Sequence, residues 1–171
     1  MAELEILKYP HPLLKKRSIE VDGIDGQVKK LIQDMTETMY RANGIGLAAC
    51  QIGIPRRVIV VDVSPLDPQH GLFALINPVI VSEEGEIEYE EGCLSVPDCS
   101  EKVKRREKVR VRGISPGGTE VEVFGEGILA ISLQHEIDHL NGVLILDRLS
   151  RLKREIYRNK LKKEKRREEG H

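Results

Sequence analysis

The chain is 171 residues long, 40% apolar and 32% charged, with two Phe, four Tyr, no Trp and three Cys. That length buries one sizeable core, and the apolar share excludes a disordered chain, so one globular domain is expected. The net charge of −1 hides an asymmetry, because residues 151–171 hold ten Lys/Arg against four Asp/Glu while residues 1–150 hold 17 against 24. The chain therefore divides into an acidic body, 1–150, expected to carry the chemistry, and a basic helical tail, 151–171. Such a tail either meets an acidic partner or is a solvated helix end. No apolar run reaches the roughly 18 residues of a membrane span, and the start MAELEILKYP lacks the basic and apolar regions of a secretory signal. A cytoplasmic protein without a membrane partner is expected. Three cysteines, Cys50, Cys93 and Cys99, cannot all pair within the chain, so at least one thiol is free to pack, bind metal or attack.

Pro10 and Pro12 mark an extended opening, and VDGIDG (21–26) a turn that starts a helix. Over 27–41, Val28, Leu31, Ile32, Met35 and Met39 fall on one face of an amphipathic helix, which Asn43 and Gly44 end. GIGLAACQIGIP (44–55) reads as irregular and leads to the β-branched strand RVIVVDV (57–63). LFALINPVIV (72–81) and IEYE (87–90) are further strands, and KVRVRG (108–113) with TEVEVFGEG (119–127) forms a hairpin about ISPGG. Residues 128–141 contain no Gly or Pro, carry Ile131, Leu133, Ile137 and Leu140, and precede Gly142, which predicts a largely buried helix. After VLILDR, Leu149, Leu152 and Ile156 lie near one face of a C-terminal helix, with only Leu161 adding apolar character beyond them, so its first turns are expected to dock and its end to fray. The expected fold is α+β in a single domain: antiparallel β-sheets packed around a central helix, with an N-terminal amphipathic helix and a C-terminal helix.

The central helix carries His135-Glu136-Ile137-Asp138-His139. Two His four apart project from the same face and can share a metal ion, with Glu136 beside a water that the metal acidifies. The carboxylate could take that proton and deliver it to a leaving group. A third protein ligand is needed. A His six residues after His139 is excluded, since position 145 is Ile. A downstream carboxylate, Glu155 or Asp147, would make a metallopeptidase of the HExxH type. A cysteine from elsewhere is the other route, and Glu91-Gly92-Cys93-Leu94-Ser95 places one after a strand and beside a Gly. The spacing Gly44-x-Gly46-x-x-Ala49 with Asp62 downstream formally fits a dinucleotide fingerprint, but it follows a helix instead of a strand and leaves no room for a crossover helix.

QHEIDHLNG (134–142), EGCLS (91–95) and GIGLAACQ (44–51) together resemble the three signature motifs of the peptide deformylases, in the same order. The resemblance spans nearly the whole chain, including ILKYPHPLLKK (6–16) and LNGVLILDRLS (140–150). It implies Cys93, His135 and His139 as metal ligands, with Fe²⁺ native and Zn²⁺, Ni²⁺ or Co²⁺ as substitutes. It also implies hydrolysis of the formamide at the N-formyl-Met of nascent peptides, with Glu136 as general acid/base. Gln51, through its side-chain amide, and Leu94, through its backbone N–H, would donate to the oxyanion. The backbone around Gly46 would pair with the substrate, and Ile45, Leu94 and Ile131 would wall an apolar pocket suited to a thioether. One departure stands out. Bacterial relatives often carry a basic residue a few positions past the second motif, where this chain has Pro97-Asp98-Cys99-Ser100, leaving Lys102 as the expected substitute. A monomer is expected. The chemistry so read needs nothing from the tail, so a chain ending after Leu152 is expected to turn over small peptides, and the tail's role would be contact with the ribosome. A non-enzymatic RNA-binding module is the remaining alternative.

Overall fold

The computed structural model describes residues 4–169. The first helix, α1 (Gly26–Arg41), starts where the Asp25 carboxylate accepts from the Val28 N–H at 3.0 Å, and buries Ile32, Met35 and Met39. Seven strands follow: β1 (Gly46–Ala48), β2 (Val58–Asp62), β3 (Leu72–Glu84), β4 (Ile87–Cys93), β5 (Val96–Arg105), β6 (Lys108–Ile114) and β7 (Glu120–Glu126). Helices α2 (Ile128–Leu140) and α3 (Arg151–Glu169) complete the chain, with short 3₁₀ turns between. Strands β1-β2-β3-β6-β7 form one antiparallel sheet in that order, and β4-β5 form a separate two-stranded hairpin.

Every residue of β2 is buried because helices cover the sheet there. Val58, Val60 and Ile76 pack with Met35 and Met39 of α1, whereas Ile59, Val61, Val111 and Val123 pack with Leu129, Leu133, Ile137 and Leu140 of α2. The period-2 alternation of a strand thus feeds two cores from one run. A third cluster joins Val96, Cys99 and Val103 of the hairpin to Leu14, Leu144, Ile145, Leu146 and Tyr157. The result is the expected single-domain α+β architecture, with α2 at its centre. Among the described residues no helix is long and apolar enough to cross a membrane.

Three segments differ from the sequence reading. The stretch 44–55 is not irregular throughout: it contains β1 and a 3₁₀ turn over Ala49–Ile52. Strand β5 has no clean sequence signal, because Pro97 and Asp98, the latter at φ 61°, break its alternation near the start, and it ends on a buried Arg105. The expected docking face of α3 is also wrong. Leu149 is buried but precedes the helix, while Leu152 and Ile156 are 70% and 58% exposed. Tyr157 and Leu161 dock instead: the Tyr157 O–H donates to the Pro97 carbonyl at 2.8 Å, and its ring packs 6.3 Å from that of Tyr9.

Candidate metal centre

Helical spacing brings His135 and His139 together on α2, with their Nε2 atoms 3.3 Å apart. The Cys93 Sγ lies 3.3 Å from His139 Nε2, and the ligand atoms of all three residues fall within 4.8 Å of one another. Cys93 reaches them because β4 ends there, after a register shift that separates the Glu91 and Cys93 pairings with β5. One sulfur and two imidazole nitrogens form a donor set that suits a transition metal or zinc, and leave room for a further ligand. The alternative third ligands lie elsewhere. Asp147 accepts from Lys15 Nζ and the Leu144 N–H, and Glu155 faces Arg158 on the exposed side of α3. Cys50 is buried with its thiol 3.4 Å from the His139 carbonyl, outside the ligand cluster.

The orientation of His135 is set from behind. Its Nδ1 lies 2.9 Å from the Glu91 carboxylate, which fixes the tautomer and aims Nε2 at the other ligands. Arg105 grips Glu91 with two bonds of 2.8 and 2.9 Å and also reaches Asp138, to which Arg148 donates at 2.6 and 2.7 Å. This chain of alternating charges runs from buried to exposed ground, with the Arg105 and Glu91 side chains only 2% and 4% exposed. Burial would push the Glu91 carboxyl up, but His135 and Arg105 outweigh it and hold it below the ordinary value. For His135, burial is likewise outweighed, here by the Glu136 and Cys93 charges, and the imidazole is raised well above its usual value. His139 is lowered by burial and by the positive charges of His135 and Arg105.

Glu136 lies beside this cluster, buried, and its Oε1 has no hydrogen-bond partner among the described residues. Burial pushes its carboxyl up to about 7. Its other oxygen rests against Gly46: a Cβ built there would stand 2.4 Å from Oε2. Gly46 is therefore the residue that makes room for the carboxylate, a contact the sequence reading did not anticipate. Gly44 does the same for Leu94, whose Cδ1 would lie 2.8 Å from an added Cβ. Gln51 is buried, accepts from the Ala48 N–H at 2.9 Å, and donates to Ser95 Oγ at 2.9 Å and more weakly toward Cys93 Sγ at 3.8 Å. The N-terminal segment ties both loops in place, through the Leu7 N–H to the Gln51 carbonyl and the Tyr9 N–H to the Ser95 carbonyl.

A cleft of about 740 Å³ opens over these residues and is lined by Ile45, Leu94 and Ile131. Strand β1 is an edge of its sheet: Gly46, Leu47 and Ala48 pair with Val61, Val60 and Ile59 of β2, and among the described residues no strand lies on the other side. A free edge of this kind is the natural docking place for an extended peptide. Lys102, the expected basic substitute, sits opposite Glu90 on the exposed hairpin and does not line the cleft; Lys160 of α3 does. The structure thus brings Cys93, His135, His139, Glu136 and Gln51 together beneath a cleft that Ile45, Leu94 and Ile131 line, whereas the sequence reading gave no part to Arg105, Asp138 or Lys160. Glu91 stood inside a recognised motif without a role, and nothing in the local sequence marked Arg105.

Known proteins resemble this chain in sequence and in fold. The sequence profile of the polypeptide deformylase family matches residues 3–155. A peptide deformylase of Thermodesulfovibrio yellowstonii is 53% identical over 165 residues, covering 96% of this chain and 100% of the relative, and one of Syntrophobacter fumaroxidans is 53% identical over 163 residues, covering 95% and 96%. Among solved structures, a peptide deformylase from Legionella pneumophila superposes with a TM-score of 0.90 at 47% identity, covering 98% of each chain. One from Ehrlichia chaffeensis in complex with actinonin gives 0.91 at 38% identity, covering 97% of this chain and 99% of that one. With a thiol and two imidazoles converging beside a buried glutamate, and with likeness of this extent over nearly its whole length, the chain belongs to the polypeptide deformylase family, the hydrolases that take the formyl group off the N-termini of new polypeptides.

Proposed function

We propose that Cys93, His135 and His139 hold a divalent metal and that Glu136 moves the proton when the formamide of a formyl-Met peptide is hydrolysed. The observation that carries this is the meeting of three ligand atoms within 4.8 Å beside a buried carboxylate oxygen that has no hydrogen-bond partner among the described residues. A divalent cation held there supplies Lewis acidity and brings the pKa of a water it binds toward neutrality. Glu136 accepts a proton at Oε1 and delivers it to the departing amine. As negative charge gathers on the formyl oxygen, the Leu94 N–H and the Gln51 amide donate to it. The Gln51 hydrogen that now leans toward Cys93 Sγ at 3.8 Å is the one available, since the other is held by Ser95. The backbone at Gly46 pairs with the peptide, and Ile45, Leu94 and Ile131 enclose its methionine side chain.

Fe²⁺ is the resident metal in this proposal, with Zn²⁺, Ni²⁺ or Co²⁺ able to replace it, because one thiolate with two imidazoles accepts all four. The enzyme works as a cytoplasmic monomer on nascent N-formyl-Met peptides. The body, residues 1–150, supplies the metal centre, and the helix that follows it meets the ribosome through its exposed basic side chains. Protein purified without oxygen and loaded with metal should release formate from a formyl-Met peptide and leave internal peptide bonds intact. Absence of formate from metal-replete protein overturns the proposal. Glu136→Gln should keep its metal while turnover falls about 10²- to 10⁴-fold.

A further inference from the structure

The cleft over the Cys93, His135 and His139 cluster carries the carboxylates Glu90, Glu91, Asp98 and Glu136, and among the described residues Lys160 is its one basic side chain apart from His135. Lys160 comes from α3, far along the chain, and its place is fixed from one turn away. Tyr157 is buried in the hairpin cluster with its O–H on the Pro97 carbonyl, and Leu161 packs against the same cluster. Arg158 Nε donates to the Tyr9 hydroxyl at 3.1 Å, and Arg154 to the carbonyls of Leu146 and Leu149. The backbone that bears Lys160 is therefore anchored, while its side chain is exposed and makes no salt bridge among the described residues.

Whatever its side chains, a peptide substrate offers backbone carbonyl oxygens as acceptors, and beyond its first residue these are met by whatever the far cleft provides. We propose that Lys160 is a substrate-positioning residue: its ammonium donates to a backbone carbonyl oxygen of the residue that follows the formylated methionine. This deepens the deformylase reading and rests on it. Because an ammonium on a flexible stem seeks oxygen within a wide radius, it can serve many sequences without selecting among side chains. Asp98, Cys99 and Ser100 of β5 line the cleft together with Lys160.

The test compares formyl-Met-Ala-Ser amide with formyl-Met amide on the metal-loaded full chain. Lys160→Met should raise KM for the longer substrate roughly three- to tenfold, as expected for one hydrogen bond from an ammonium that water screens, with kcat little changed. Formyl-Met amide, which lacks the second residue, should show no change. Lys160→Arg should restore most of the affinity, and Lys163→Ala, on the same helix outside the cleft, should behave as the unaltered protein. Equal KM for the longer substrate in Lys160→Met and the unaltered protein overturns the proposal, as does an equal loss on both substrates, which would mark a structural effect. Failure of the unaltered protein to release formate from either substrate overturns the deformylase reading and this proposal with it.

Discussion

Helices α2 and α3 both carry many charged or polar side chains, and they use them in opposite ways. In α2 ten of thirteen residues are buried, and His135 and Asp138 are each engaged by a partner from another element. In α3 only Tyr157 of nineteen residues is buried, and most of its charges stand in water. A charge taken out of water must be paired with good geometry or it destabilises the fold, so the ionic groups around α2 are fixed in position. A solvated charge costs little and holds little, so α3 tolerates the basic excess of the chain without it fixing the fold. What ties α3 down is the Tyr157 ring and Leu161, with Arg154 and Arg158 donating to the Leu146 and Leu149 carbonyls and the Tyr9 hydroxyl beside them.

The largest break in this comparison comes from Glu91. Glu91→Ala leaves Arg105 buried with half its partners gone, which should cost about 3–5 kcal/mol by denaturant unfolding. It also frees His135 Nδ1, so metal affinity, read by competition with a chelator, should fall about 10- to 100-fold. Unchanged metal affinity would show that the ligand is oriented without this network. Glu91→Gln keeps an acceptor for one of the two neighbours and should lie between.

The next effect concerns the tail. The sequence predicts that a chain ending after Leu152 keeps its small-peptide turnover; the packing of α3 argues the opposite. Truncation removes Tyr157 and Leu161 from the cluster that includes Val96, Cys99 and Cys93. Loss of one buried aromatic side chain alone is worth about 3 kcal/mol, and the loosened cluster includes the hairpin that presents Cys93. The truncated protein should therefore melt lower and bind metal less tightly. Full small-peptide turnover with an unchanged melting temperature would restore the view of a dispensable tail.

The legible parts of the molecule are those encoded in short-range patterns. The period of α1, the hairpin of β6 and β7, and the helical spacing of His135 and His139 all follow from neighbours within a few turns. Cys93 is found only because a motif points to it, since nothing in a single cysteine says which helix it will face. Arg105 escapes because its partners lie far off, Glu91 at 14 residues and Asp138 at 33, and charged residues in KRREK look like a solvated turn. Tyr157 escapes for a related reason. Counting apolar residues favours Leu152 and Ile156, but the tyrosine offers a ring for the cluster and a hydroxyl for the Pro97 carbonyl, and the helix turns to bury that side chain.

The smallest effect should come from the salt bridge between α3 and the hairpin. Lys153 Nζ lies 3.1 Å from the Glu101 carboxylate, with both side chains more than a third exposed. If ionic contacts held α3 in place, Lys153→Ala would loosen the helix and disturb the cleft. Because water screens the pair and ordering two long side chains offsets its attraction, the substitution should change stability by no more than about 0.5 kcal/mol, or roughly 1–2 °C in Tm. Formate release from short substrates should stay as in the unaltered protein. A loss comparable to that of truncation would mean that α3 is held by charge, and that the contrast between the two helices is one of exposure and not of the forces that hold them.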